Sequence, residues 1–142
     1  MGLTIGAGRL GEYKSTTVAS GSATSLSTGT AATVAGATLS LQPGIWDITG
    51  IIDFQFAVNT SYTILQACIG TVDNTLSVNQ DEVFTWITPA AVPTNTVDMT
   101  FDIPEIRVTV RTATTFYLVA KATFTVSTLK AYGTICARRV RD

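Results

Sequence analysis

Histidine is absent from the 142 residues. With it go every imidazole base, every imidazole metal ligand and every Ser-His-Asp or Cys-His nucleophile. Charge is scarce as well: nine basic and ten acidic side chains make up 13% of the chain, about half of the ~25% usual in soluble domains. The formal net charge of −1 provides no basic field for general nucleic-acid binding. The two cysteines, Cys68 and Cys136, lack C-x-x-C spacing and are too few for a disulfide framework; a bridge between them requires neighbouring strands. No run approaches the ~18 apolar residues of a membrane helix. The start, Met1-Gly-Leu-Thr-Ile-Gly6, lacks the basic head and apolar core of a secretory leader. Gly6 stands where N-myristoylation needs Ser or Thr.

What is abundant is threonine, 26 residues in a chain that is 46% hydrophobic with a mean hydropathy of +0.34. Threonine is β-branched and suits strands, so an all-β domain is expected. The length fits one domain with a real core. So apolar a chain with so few charges is expected to have part of its surface covered by a partner.

Residues 1–32 are rich in Gly, Ser, Thr and Ala and carry only Arg9, Glu12 and Lys14 as charges. They cannot bury enough surface to fold alone and read as an extended arm that must lie on something, with Leu3, Ile5, Leu10 and Tyr13 as anchors. From residue 33 to 142 period-two alternation takes over. Val34–Leu41 leads into a Pro43-Gly44 turn. Trp46, Ile48, Gly50, Ile52, Phe54, Phe56 and Val58 then oppose Asp47, Thr49, Asp53 and Gln55. Asn59-Thr-Ser61, a formal glycosylation sequon, reads as a turn. Further strands are expected over 62–71, around Phe84–Ile87, from Val97 up to Pro104, over 106–110, over 116–124 and from Leu129 to about Arg138. About eight strands with turns every 8–12 residues indicate an antiparallel sandwich or barrel.

Charge is sorted along the chain. Residues 47–105 hold eight acids and no base, whereas 106–142 hold seven bases and, as their one acid, Asp142. Such sorting fits cross-strand pairing within one domain, or acidic and basic faces that meet between subunits. Gly6-Ala-Gly-Arg-Leu-Gly11 matches the dinucleotide fingerprint in letters, but the Tyr13-Lys-Ser-Thr-Thr-Val18 that follows is no helix start and no acid stands about 20 residues on. Asp47 and Asp53 share a strand face roughly 20 Å apart, too far for a glycosidase pair. Asp81-Glu82 and Asp98/Asp102 lack the calcium-loop pattern. No catalytic, cofactor or metal site is expected.

Several segments resemble a module of tailed-bacteriophage virion proteins. They are Glu12-Tyr13, Val18-Ala-Ser-Gly-Ser-Ala23, Ser25-Leu-Ser-Thr28, Leu41-Gln-Pro-Gly-Ile-Trp-Asp-Ile-Thr-Gly50, Ile106-Arg-Val-Thr109, Thr114–Phe124 and Ala131-Tyr-Gly-Thr-Ile-Cys-Ala-Arg-Arg139. The final strands also look like the tumour-necrosis-factor type of jelly roll. The resemblance implies a jelly-roll-like sandwich and a non-enzymatic homotrimer, made in the host bacterial cytoplasm and carried on the virion. With only a short arm before the module, a capsid decoration protein on the head surface is expected, with the major capsid protein as partner and neither nucleic acid nor membrane. The alternative is the tip of a tail or head fibre that meets a host receptor through loops 72–82 and 88–96. Leu3, Ile5, Arg9, Leu10 and Tyr13 are the expected capsid-binding residues. Tyr117 and Tyr132, opposite the Phe116/Leu118 and Leu129/Ile135 stripes, are the expected trimer contacts, together with the basic Arg138 and Arg139.

Overall fold

The computed structural model describes residues 10–93 and 98–142, the stretch 89–93 by its backbone. Its strands are β1 (Tyr13–Val18), β2 (Thr24–Ser25), β3 (Ala32–Leu41), β4 (Gly44–Phe56), β5 (Ser61–Gly70), β6 (Val83–Pro93), β7 (Met99–Val110), β8 (Thr114–Thr125) and β9 (Leu129–Arg141). Two antiparallel sheets result. The first runs β1-β9-β4-β7, with β2 also paired to β9, and the second runs β3-β8-β5-β6. From β3 onward every step except β5–β6 crosses to the other sheet, the interleaving of a jelly roll. The all-β sandwich expected from the alternation is therefore the observed fold, with β1 and β2 following one another along β9.

Alternation explains the core. In β4, Trp46, Ile48, Ile52 and Phe54 are fully buried while Asp47, Thr49 and Asp53 face out. In β8 and β9 the inward residues Phe116, Leu118, Leu129 and Ile135 meet them from both sheets. Outward positions carry threonine: Thr17, Thr49, Thr109 and Thr134 are half-buried or exposed on the first sheet. The β-branched side chain fits the pleat, and its hydroxyl tolerates water.

The residues expected as an arm are divided. Residues 1–9, with Leu3, Ile5 and Arg9, lie outside the described residues. From Tyr13 the chain lies on its own sandwich, paired to β9 from Tyr13↔Arg138 to Val18↔Gly133. Val18 and Leu26 are buried. The Lys14 ammonium donates to the Ser40 carbonyl at 3.0 Å and the Thr16 hydroxyl to the Thr38 carbonyl at 3.0 Å. These bonds tie the β1 edge to β3 of the opposite sheet. Across the molecule, Phe84 of β6 stacks on Phe101 of β7 at 4.4 Å between ring centroids. Trp86 leans on the same ring at 5.8 Å.

Proline misleads in two places. β7 continues through Pro104, and β6 runs to Pro93 past Pro89. Both are edge strands, where a missing N–H removes no ladder bond. Opposite Pro104 the register slips, from Ile48↔Ile106 to Gly50↔Ile103, which absorbs one extra β7 residue as a bulge. The inward stripe of β4 also ends earlier than its alternation implies, at Phe56, leaving Val58 exposed beside the left-handed turn residue Asn59.

Gly133 sits at φ +157, where a Cβ would drive into the Ile51 carbonyl oxygen of the neighbouring strand. Because that neighbour is backbone, relief requires β9 to move off β4. Gly133→Ala is expected to destabilise the fold by about 3 kcal/mol or more, read as a lower midpoint in urea denaturation; an unchanged midpoint contradicts the close approach.

Candidate functional site

Three arrangements could meet a partner or carry chemistry: the outer face of the first sheet, a buried guanidinium at its upper end, and a cleft beside the β5–β6 loop.

The outer face is built by the outward positions of β1, β9, β4 and β7. At one level Tyr13, Arg138, Asp47 and Arg107 stand side by side. Arg107 grips Asp47 with two hydrogen bonds, Nε to Oδ1 at 2.6 Å and Nη2 to Oδ2 at 2.8 Å. This pair joins the acidic and basic parts of the chain within one domain. The Arg107 guanidinium holds the Asp47 carboxyl below its ordinary range. One level on, the Thr49 hydroxyl and the Cys136 thiol share a hydrogen bond of 2.9 Å. Further along, the Tyr132 hydroxyl donates to Asp98 at 2.5 Å, and Thr100 donates to Asp53. The Asp98 hydrogen bond pushes the Tyr132 phenol up to about 12. Shallow clefts flank the Thr49–Cys136 ridge, one beside Tyr13 and Glu105, the other beside Ile51 and Asp102. Ile51 is exposed in the middle of this face.

Arg139 points the other way. It is 3% exposed, its guanidinium carbon 4.7 Å from the centre of the Trp46 ring. Nη1 donates to the Pro43 carbonyl at 2.5 Å, and Nε lies 3.4 Å from a Glu12 carboxylate oxygen. Glu12 is itself 5% exposed. The backbones lock as well, Gly11 N–H donating to Arg139 O and Arg139 N–H to Glu12 O. Nε and Nη2 have no hydrogen-bond partner among the described residues, and the charge is met by the Glu12 carboxylate, by the Asp142 carboxylate 3.7 Å from Nη1 and by the Trp46 ring face.

On the second sheet, the outer face is covered where Cys68, Val119 and Val83 pack under Leu76, Ala31 and Tyr117. The 71–79 loop is pinned there by Asn74, whose amide oxygen accepts from Thr33 N–H at 2.8 Å while its own N–H donates to the Thr33 hydroxyl at 2.9 Å. Ser77 N–H adds a bond to the Cys68 sulfur at 3.3 Å. Burial raises the Cys68 thiol above its ordinary range. Between this loop, β7 and Phe116 lies a cleft of about 370 Å³.

The residues expected at an interface are thus dispersed. Tyr132 and Arg138 share the outer face of the first sheet with the exposed Tyr13. Tyr117 is half-buried on the outer face of the second sheet. Arg139 is no surface residue: β9 alternation turns it inward, and Glu12 and Trp46 hold it there. Leu10 is exposed where the described chain begins. The glycine motif is followed by strand β1, not by a helix, so the phosphate-binding context is missing. Cys68 and Cys136 are free, on strands of different sheets. Alternation gave no sign of Glu12 as a buried group. The one acid of a polar segment, three residues before Ser15 and far in sequence from Arg139, carries no local signal of its partner.

No family model and no curated protein matches the chain. Among solved structures, it is similar to a chain in the structure of infectious bursal disease virus Gx strain, with a TM-score of 0.47 and 11% identity. That match covers 93% of this chain and 32% of the viral one, so this chain spans about a third of that protein's length. At that score and identity nothing about partners or activity passes from one to the other.

Two outcomes follow from this geometry. Arg139→Met leaves the buried Glu12 carboxylate with the Lys14 ammonium, 3.9 Å away, in place of its buried guanidinium and is expected to cost about 3 kcal/mol; adding Glu12→Gln is expected to restore part of it, measured by denaturation of the single and double variants. Asp47, with its lowered carboxyl, stabilises the fold above the ordinary carboxylate range, and that contribution is lost as pH falls through the lowered value. An NMR titration is expected to find the Asp47 midpoint below the usual carboxylate value, and Arg107→Gln to raise it.

Proposed function

We propose that this chain is a structural protein of a tailed-bacteriophage virion, a homotrimeric decoration (cement) protein that binds and reinforces the head shell without catalysis. The observation that carries the reading is the position of the segment in which the resemblance is most specific. Ala131–Arg139 forms the body of β9, the strand that both β1 and β4 pair with. Its outward residues lie within a broad face marked by two shallow clefts and the exposed Ile51, where Asp47, Asp53 and Asp98 are hydrogen-bonded and Arg138, Asp102 and Glu105 are exposed. Such a face suits packing against another copy of the chain, where its hydrogen-bonded acids need little further desolvation and its exposed charges of both signs can pair across the contact.

Tyr132 and Arg138 are the trimer contacts on this face. Tyr117, on the other sheet, fits a cyclic trimer in which two different surfaces of neighbouring copies meet. Leu3, Ile5 and Arg9, with the exposed Leu10 and Tyr13, are the contacts to the major capsid protein. Three such segments joined through one trimer bind by avidity, each contributing a modest contact. The place of action is the capsid surface, after synthesis in the host bacterial cytoplasm. A second reading, a receptor-binding fibre tip, is favoured by the cleft at the 71–79 loop, which lies within the loop expected to meet a receptor.

The test separates the parts of the proposal. Light scattering of the full chain is expected to give about three times the 15.0 kDa of one copy; a monomer overturns the trimer. Removing residues 1–9 leaves Glu12 and β1 intact and is expected to yield a folded trimer that no longer occupies expanded phage shells. Full occupancy by the truncated protein overturns the role of the arm.

A further inference from the structure

The cleft beside the β5–β6 loop has features that neither assembly nor stability of the sandwich requires. Its floor is apolar: Ile69 and Phe116 are buried beneath it, and Ile106 and Val108 form one wall. Glu82 reaches the lining from the other side. Its carboxylate is aimed by two donors, the Ser77 hydroxyl at 2.6 Å and the Asn79 side-chain amide at 3.2 Å. A second bond, Asn79 N–H to the Ser77 hydroxyl at 3.2 Å, braces the same turn. No Lys or Arg among the described residues pairs with Glu82 within 4.0 Å. The loop that carries these groups is pinned at Thr33 and Cys68, so the cleft is formed before anything enters it.

A single oriented carboxylate at the end of an apolar cleft calls for a cation on an apolar stem. Lysine and arginine have that form, with methylenes that lie along hydrocarbon and a charged head that seeks an acid. The rim adds a second requirement. Val78 is 91% exposed and Val72 59% exposed although both contribute to the lining, so most of each valine faces out past the mouth of the cleft. An occupant that also covers those valines extends beyond the cleft, as a polypeptide does and a small amine does not. The volume of about 370 Å³ lies at the lower end of the range of sites that take small groups.

We propose that this cleft is a docking site for a basic side chain, lysine or arginine, flanked by apolar residues on a protein partner, with Glu82 as the group that selects the charge. The inference depends neither on the trimer nor on the arm. Its charge selection acts at short range inside an apolar wall, where the attraction is less screened than on open surface.

The probes are two blocked pentapeptides, Val-Leu-Lys-Leu-Val and its norleucine analogue, titrated into the isotopically labelled full chain and followed by amide shifts. The lysine peptide is expected to shift residues 69–82 and to bind at least tenfold more tightly than the norleucine peptide. In Glu82→Gln, whose amide spectrum elsewhere reports an intact sandwich, the two peptides are expected to bind alike. Val78→Asp is expected to weaken the norleucine peptide, and hexylamine alone to bind more weakly than the lysine peptide. Equal binding of both peptides to the unaltered chain overturns the charge selection. Hexylamine binding as tightly as the lysine peptide overturns the polypeptide partner in favour of a small cation. Shifts elsewhere, or none at millimolar peptide, overturn the site.

Discussion

Arg139 carries a full positive charge into the wall of the sandwich, and several otherwise separate features make that burial tolerable. Trp46 supplies the ring face under the guanidinium and Pro43 a carbonyl at its rim. Glu12 supplies the countercharge from the far end of the sequence. Gly44 leaves the space, since a Cβ there would meet the guanidinium. A hydrophobic substitute could fill the same volume, and buried ion pairs add little net stability over such substitutes. What the pair adds is register: β1 meets β9 with Tyr13 opposite Arg138 because sliding either strand strands a charge. The N-terminal segment is thereby fixed in place where it joins the body, whatever it does beyond residue 10.

With that corner set, the rest of the first sheet is a question of which groups may face outward. The outer face carries threonine, one bidentate ion pair and hydroxyl–carboxylate bonds beside exposed charges such as Arg138, Asp102 and Glu105. Asp47 and Asp53 each have a hydrogen-bond donor from the neighbouring β7, and Asp98 has one from Tyr132 of β9. Charges satisfied within the face do not demand water as strongly as free ones do. The outer face thus combines hydrogen-bonded acids with exposed charges, Arg138, Asp102 and Glu105 among them, so a partner that covers it must pair with the exposed set.

The fold was legible because the core of a sandwich is written in nearest-neighbour alternation, and β4 and β9 carry it with few breaks. The prolines at 89 and 104 spoke against continuous strands, and wrongly, since a sequence does not show which strands are edges. Cross-strand pairing of the sorted charges could be anticipated for Asp47 and Arg107, which lie on alternating outward positions. The Glu12–Arg139 pair could not, because 126 intervening residues separate partners that share no local pattern. The loop cleft escaped for a related reason. Ser77, Asn79 and Glu82 look like ordinary turn residues until the fold brings β7 and Phe116 against them. Tyr117 and Tyr132, alike in sequence as outward aromatics, prove to belong to different sheets.

The crossing of nearly every connection between the sheets has a consequence for how the protein is made. β4 and β1 find their shared neighbour only in β9, the last of these nine strands in sequence order, and β3 and β5 find theirs only in β8. Hairpin contacts that could form early are confined to β5 and β6. A nascent chain therefore exposes half-finished sheets until the final strands appear, and closing them requires loops that span most of the sequence. A chain that stops short of β9 can pair all four strands of the second sheet and β4 with β7, but β1 and β4 are left without their shared neighbour, so the first sheet and the core beneath it stay open.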